Sequence, residues 1–548
     1  MTGTQRKFGS VTIELAKSLT GNWKSFAGLV MLGFSVLPAQ FVIGGDPRVN
    51  PSDFVITTFA TGLNYPVGMA LLPDSSIVVA VSTGTAYFST TTGKLLRLVD
   101  TNGDGVADQQ NILVNNVPGG MLTTVRIAGN LLFTTGQGKP ITIYRFGNTL
   151  SDTMKEVGRI LINYTGSWEH QHSALCVRPT PASTKSYDLF FQLGSEANFA
   201  KTTRTLTLTS TIGLSGSLNG DALYMVKITD SGDSISASSL TQIATGLRNA
   251  AGMAFHPVTG DLYLEDNGID GLVDPNEPLS ADELNMIPAN QIGGAVEDFG
   301  FPDNYIKYRT GEFIGGNGIK PLIAFEPIPD PMTGSESEGA NDITFAPAGF
   351  PAGLRGGLYI GFHGRFSFGG ITNEENPMLY VDLDSLKYFD FIGNNETAIG
   401  HLDGQLAVKN SLYVSDISPG GAFGTGTANK GIIYLIRSKQ TTRVADNLQP
   451  IPSGYRLSDA YPNPFNLATM IRFDIPESGV TARAVLTLYN TLGQDVVTLF
   501  DKVVVPGEIQ VRWDGKDKSG KVVPTGVYIY RLSVDGRFVQ AKKTILMK

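Results

Sequence analysis

The sequence predicts an all-β protein: a six-bladed β-propeller over residues 46–438, then a small immunoglobulin-like β-sandwich over residues 456–548. Three observations predict it. A unit made of a Gly/Pro opening, an apolar strand, a tight turn and a second apolar strand recurs six times, the signature of propeller blades. The composition is turn-rich and lightly charged, with Gly 64, Pro 29, 41% hydrophobic and 17% charged residues. After Arg437 the texture changes to short alternating strands at regular spacing.

Taken in order, residues 1–45 form a leader. Arg6, Lys7, Lys17 and Lys24 precede the apolar run FAGLVMLGFSVL (26–37), too short for a comfortable membrane span and suited to a signal peptide cleaved near Ala39. The repeat copies follow. They are GLNYPVGMALLPDSSIVVA (62–80), PGGMLTTVRIAGNLLFTTG (118–136), EHQHSALCVRPTPASTKSYDLFFQLG (169–194), GLRNAAGMAFHPVTGDLYLED (246–266), GANDITFAPAGFPAGLRGGLYIG (339–361) and HLDGQLAVKNSLYVSD (401–416). Each gives two strands joined by a turn. KLLRLVD (94–100), DALYMVKIT (221–229) and GIIYLIR (431–437) are expected as outer strands. Residues 439–455 read as a linker, and MIRFDI, AVLTLYN and VYIYRLSV as strands of the final sandwich.

The net charge of −8 and the lack of any Lys/Arg stripe argue against nucleic acid as a partner. The single cysteine, Cys176, excludes an internal disulfide and reads as a buried thiol. In DTNGDGVAD (100–108), Asp100, Asn102, Asp104 and Asp108 place hard oxygens at nearly alternate positions around Gly105, the pattern a calcium loop needs. Glu265, Asp282 and Glu283, with Asp266, Asn267 and Asn285, form a second acidic group and a second calcium candidate.

Several of these segments resemble a known family. GLRN, ADELN followed by DFGFP, EHQHSAL and GFHGRFSFGG are similar to motifs of the soluble quinoprotein glucose/sorbosone dehydrogenases, over roughly residues 53–437. The resemblance implies a six-bladed propeller that holds pyrroloquinoline quinone (PQQ) and Ca²⁺ and oxidises a sugar or polyol, with electrons passed on to an unidentified acceptor. It implies His170 as the general base, with His172 as substitute, and Arg248, Asn249, His363, Arg365 and Asp416 as cofactor contacts. It also implies a structural calcium at the second acidic group. Histidine suits proton abstraction near neutral pH, and arginine suits carboxylates and a reduced quinone. The sequence departs from the family at 363–368, where Ser-Trp-Asn is missing and Arg365 comes early, and at His401, where an arginine is common. His256 reads as a structural turn residue. The competing expectation is a non-catalytic propeller serving as a surface binding or adhesion module.

YPNPFN (461–466), WDGKD (513–517), PTGVYIYRL (524–532) and the final KKTILMK resemble the type IX secretion sorting domain of Bacteroidetes-type bacteria. That resemblance implies the type IX secretion machinery as a partner and a secreted or cell-surface protein.

Overall fold

The computed structural model describes residues 41–439 apart from 273–276, 365–374, 395, 397–398 and 421–425, and residues 456–547 apart from 459, 461–462, 467, 476–481, 505–506 and 535–536. Arg365, most of the leader and nearly all of the linker lie outside the described residues.

Six sheets of at least four strands, each with an antiparallel core, make the propeller. Their inner strands are Pro66–Leu71, Leu122–Ala128, Leu175–Pro179, Gly252–Phe255, Ala340–Phe345 and Gly404–Val408, which open blades 1 to 6. Each inner strand hairpins onto the second strand of its repeat, so the copies read in the sequence are the two innermost strands of a blade. The strands expected as outer ones are third strands: Thr92–Val99, Ala222–Asp230 and Gly431–Ser438. A fourth strand flanks each of them, and for blade 6 it is Phe54–Leu63 from the start of the propeller, with Phe54 opposite Ser438 and Leu63 opposite Gly431. The ring is therefore closed by joining its two ends. Residues 54–63 fall outside the repeat unit, so the periodicity did not reveal their place.

Insertions enlarge two blades. A hairpin of Thr205–Ser210 and Ser215–Asn219, inserted in blade 3, adds to the outer edge of blade 2. Glu297–Asp298, from blade 4, pairs in parallel with Ile235–Thr245 of blade 3.

The blades adhere through apolar seams. Cys176, Phe190 and Leu223 of blade 3 meet Met253, Leu262 and Leu264 of blade 4, all buried. Small residues open several inner strands and let neighbouring backbones approach. A side chain on Gly68 would strike the backbone of Thr124 and Val125 of blade 2, and one on Gly404 would strike the Val67 carbonyl. These contacts align the inner strands in parallel about the axis, so all the connections that precede an inner strand gather at one end of the ring.

Residues 456–547 form a three-stranded and a four-stranded sheet around one core that includes Ile471, Phe473, Leu486, Trp513, Tyr530 and Leu532. Asn463, in the YPNPFN stretch, accepts the Ile545 N–H and donates to the Lys543 carbonyl, tying the opening loop to the last strand. Phe465 packs on Trp513 with ring centroids 5.3 Å apart.

Candidate functional site

The inner strands line an open axial cavity of about 350 Å³ to which every blade contributes, among them Met69, Val125, Cys176, Met253, Ile343 and Gln405. Arg126 of blade 2 reaches across the axis to Asp342 of blade 5, 2.8 Å away. Burial pushes the Cys176 thiol up to about 11, so it is a protonated core group.

Four of the expected site residues come from connections at the end where the inner strands begin. His170 and Arg248 meet through Ser195. The Ser195 N–H donates to the Arg248 carbonyl (2.8 Å), the His170 N–H donates to the Ser195 carbonyl (3.0 Å), and His170 Nδ1 lies 2.8 Å from Ser195 Oγ. Ser195 Oγ also donates to the Ala197 carbonyl at 2.8 Å. The serine hydroxyl has one proton, and that bond uses it, so it accepts from His170 Nδ1–H. This tautomer leaves Nε2 as the basic nitrogen. Burial, and then the nearby Arg248 cation, lower the His170 pKa to about 3.

Arg248 is buried, and its guanidinium is held by the Asn198 side chain and carbonyl, the Asn267 carbonyl and the carboxylate of Asp270 at 2.7 Å. Asp270 itself is 68% exposed. Ligand atoms of Glu169, His170 and Asp270 lie within 4.8 Å of one another. Asn249 donates from its side chain to Asn267, 2.8 Å away.

A second group forms between blades 5 and 6. His363 Nδ1 is 2.5 Å from Asp403, whose same oxygen accepts from Asn341 at 2.9 Å. The His401 ring stacks on His363 with centroids 4.5 Å apart, and its Nδ1 donates to the His363 carbonyl at 2.7 Å. Burial and the neighbouring His363 lower the His401 pKa to about 3. Asp416 lies beneath this group, fully buried, and accepts the N–H groups of Gly400, His401 and Ser418. Asp266 does the same in blade 4, accepting the N–H groups of Arg248 and Asn249. Both carboxylates therefore clamp the chain that leads into their own inner strand.

His172 has both nitrogens engaged, with the Tyr164 hydroxyl (2.8 Å) and the Lys139 carbonyl (2.7 Å). His256 accepts two backbone N–H groups in its hairpin turn, from Val258 and Thr259. Ser195, Asn198, Asp270, Asn341 and Asp403 were missed in the sequence. Asp403 stands two residues after His401 in GHLDG, and this was the available signal.

Neither acidic set expected to bind calcium is gathered about a common point among the described residues. Glu265 accepts the Ala251 N–H, and Asp282 accepts those of Gly268 and Ala340. Burial and mutual repulsion raise Glu283 to about 8. In the 100–108 loop Asp100 accepts the Gly103 and Gly105 N–H groups, Asn102 that of Asp104, Asp104 that of Val106, and Asp108 the Thr101 N–H and hydroxyl.

No family model matches the chain. An uncharacterized protein of Borreliella burgdorferi is 43% identical over 60 residues, so the match spans 11% of this chain and 14% of that relative. Among solved structures, a calcium structure of the Trichoderma reesei Carbohydrate-Active Enzymes Family AA12 is 15% identical, covering 74% of this chain and 99% of that one, with a TM-score of 0.48. The PQQ domain of pyranose dehydrogenase from Coprinopsis cinerea is 13% identical over 73% and 98% of the two chains, TM-score 0.48. Penicillium chrysogenum α-L-arabinanase is 10% identical over 74% and 99%, TM-score 0.42. These likenesses do not separate an oxidoreductase from a hydrolase.

Proposed function

We propose that the propeller is an oxidoreductase, a PQQ-dependent dehydrogenase of a sugar or polyol, in which His170 is the base. The observation that carries this reading is the His170–Ser195–Arg248 arrangement: a histidine oriented through Nδ1, with a basic Nε2, beside a buried arginine. The donor set suits an anionic quinone. Asp270, exposed, already sits on Arg248 as a ligand carboxylate would, and Arg248 would hold such a carboxylate or a quinone oxygen. The surrounding Glu169 and Asp270 call for a cation beside an anionic ligand, and Ca²⁺ suits their hard oxygens. Bound there, PQQ would supply the acceptor for a hydride.

The chain's own groups do the rest. His170 Nε2 takes the proton of the substrate hydroxyl as its C–H bond breaks, and Ser195 fixes the ring. An anionic group beside Arg248 offsets the arginine's field, which raises the basicity of His170 when the site is filled. His363 and Asp403, from blades 5 and 6, are proposed as further contacts, as are Asn249 and Arg365. Asp416 supports His401 from below. Asp100, Asn102, Asp104 and Asp108 remain proposed as a surface calcium loop, their side chains being mostly exposed. We also propose that residues 456–548 direct type IX secretion to the cell surface or beyond.

One observation favours the other reading, a binding module without turnover: Arg248 is already satisfied by Asp270 and Asn198. Reconstitution of the purified protein with PQQ and Ca²⁺, followed by dye reduction over a panel of sugars, decides between them. A cofactor spectrum with turnover supports the dehydrogenase, and the absence of both leaves the binding module.

A further inference from the structure

The axial cavity takes no part in the chemistry proposed for the histidine end. Its volume of about 350 Å³ and its mainly apolar lining are those of a small-molecule pocket. Burial along the inner strands shows which way it opens. The six lining residues named above are all buried. Leu71, Ile127, Val177, Phe255, Thr344 and Leu406, one per blade and further along the same strands, are half-buried or exposed. The cavity therefore opens where the inner strands finish, away from His170, Arg248 and His401, which precede those strands.

A second observation concerns the polar groups at its depth. Gln405 is 3% exposed and stands in the cavity wall. Its Nε2 donates to the Leu402 carbonyl at 2.6 Å, which fixes the amide's orientation, and its Oε1 has no hydrogen-bond partner among the described residues. Arg126, also in the wall, spans the axis to Asp342, because blades 2 and 5 stand opposite in a ring of six. Asp342 Oδ1 takes both the Arg126 guanidinium, at 2.8 Å, and the Ile343 N–H, at 3.0 Å. Asp342 is 5% exposed, and its Oδ2 likewise has no partner among the described residues. Two buried acceptors thus lack a donor, which is costly unless something donates to them.

We propose that the axial cavity binds a neutral small molecule with an apolar body and a hydroxyl or N–H donor, the donor bonding Gln405 Oε1. The lining selects the apolar body. The unpartnered oxygens select a donor rather than an acceptor. Neutrality follows from the Arg126–Asp342 pair: its charges already balance, so a charged ligand would bury a charge without a partner. A phenol meets all three requirements. The ligand enters from the mouth opposite the histidines, and the inference does not depend on the dehydrogenase reading.

The test uses the full chain without added cofactor, titrated calorimetrically with p-cresol, with its methyl ether 4-methylanisole, which has no donor, and with the anion p-toluate. The expected result is that p-cresol binds at least about 10-fold more tightly than the ether and is not displaced by p-toluate. Gln405→Leu keeps an apolar wall but removes the acceptor, and in it p-cresol is expected to lose at least about 10-fold in affinity while the ether is unaffected. Wild type that binds no p-cresol leaves the cavity to water and overturns the proposal. Equal affinity for p-cresol and the ether, displacement by p-toluate, or a Gln405→Leu variant that binds p-cresol as tightly as wild type overturns it too. Should that variant fail to fold, Leu71→Trp at the exposed rim replaces it: a shift in p-cresol affinity is expected, and an unchanged affinity overturns the proposal.

Discussion

At the scale of single residues, burial separates the histidines. His172 has both ring nitrogens committed, and burial lowers its pKa to about 4. His170 has one committed and stands beside Arg248. If His170 is the base, His170→Asn removes turnover by at least about 100-fold in kcat while cofactor affinity, measured by titration, changes little. Its pKa of about 3 has a sign that can be checked. The imidazole is neutral above that value, so the acid limb of kcat/KM lies well below pH 6.5, the ordinary histidine range. Removing the nearby cation in Arg248→Gln moves the His170 titration upward, read by NMR, but not to 6.5, because burial is the larger cause. Candidates such as His170 and Arg248 were legible because histidines are scarce and GLRN is distinctive. Ser195 and Asp270 were not, because serines and aspartates in loops are common and only the fold brings them to the ring.

At the scale of the blade, the repeat motif carries a clamp. Asp266 and Asp416 end second strands and accept the N–H groups at the start of the same blade's inner strand. Asp416→Ala orphans three buried N–H groups, and a loss of about 2–4 kcal/mol in chemical denaturation is expected. The seam between blades 3 and 4 makes a parallel case. Leu264→Ala leaves a hole among fully packed side chains and costs about 2–5 kcal/mol by the same measurement. Alternation and turn residues made the two inner strands of each blade legible. Which strand stood third or fourth was not, because that order depends on pairing between segments distant in sequence, and the inserted hairpin at 205–219 pairs with a neighbouring blade rather than its own.

For the whole molecule, buried ionisable groups set an optimum of stability. His170, His172 and His401 have folded pKa values near 3 to 4, against an ordinary value of 6.5, so they cost stability progressively as pH falls below 6.5. Asp266 and Asp416 near 7, and Glu283 near 8, are raised, so their contribution is complete below the ordinary carboxylate range and is lost as pH rises towards 7 and 8. The melting temperature is therefore expected to peak between about pH 5 and 6.5 and to fall on both sides, as a scan of thermal unfolding across buffers will show.

The strand Phe54–Leu63 completes blade 6 by pairing with Gly431–Ser438, almost the whole ring away along the chain. During synthesis it emerges ahead of the other propeller strands, and its partner emerges after them. Blade 6 cannot be completed until both are present, so final closure is a late, slow step dominated by long-range contact. A chain carried across a membrane before that step travels with its ring unclosed, and the native mouth, with all six blades around one axis, comes into being only after the two ends have met.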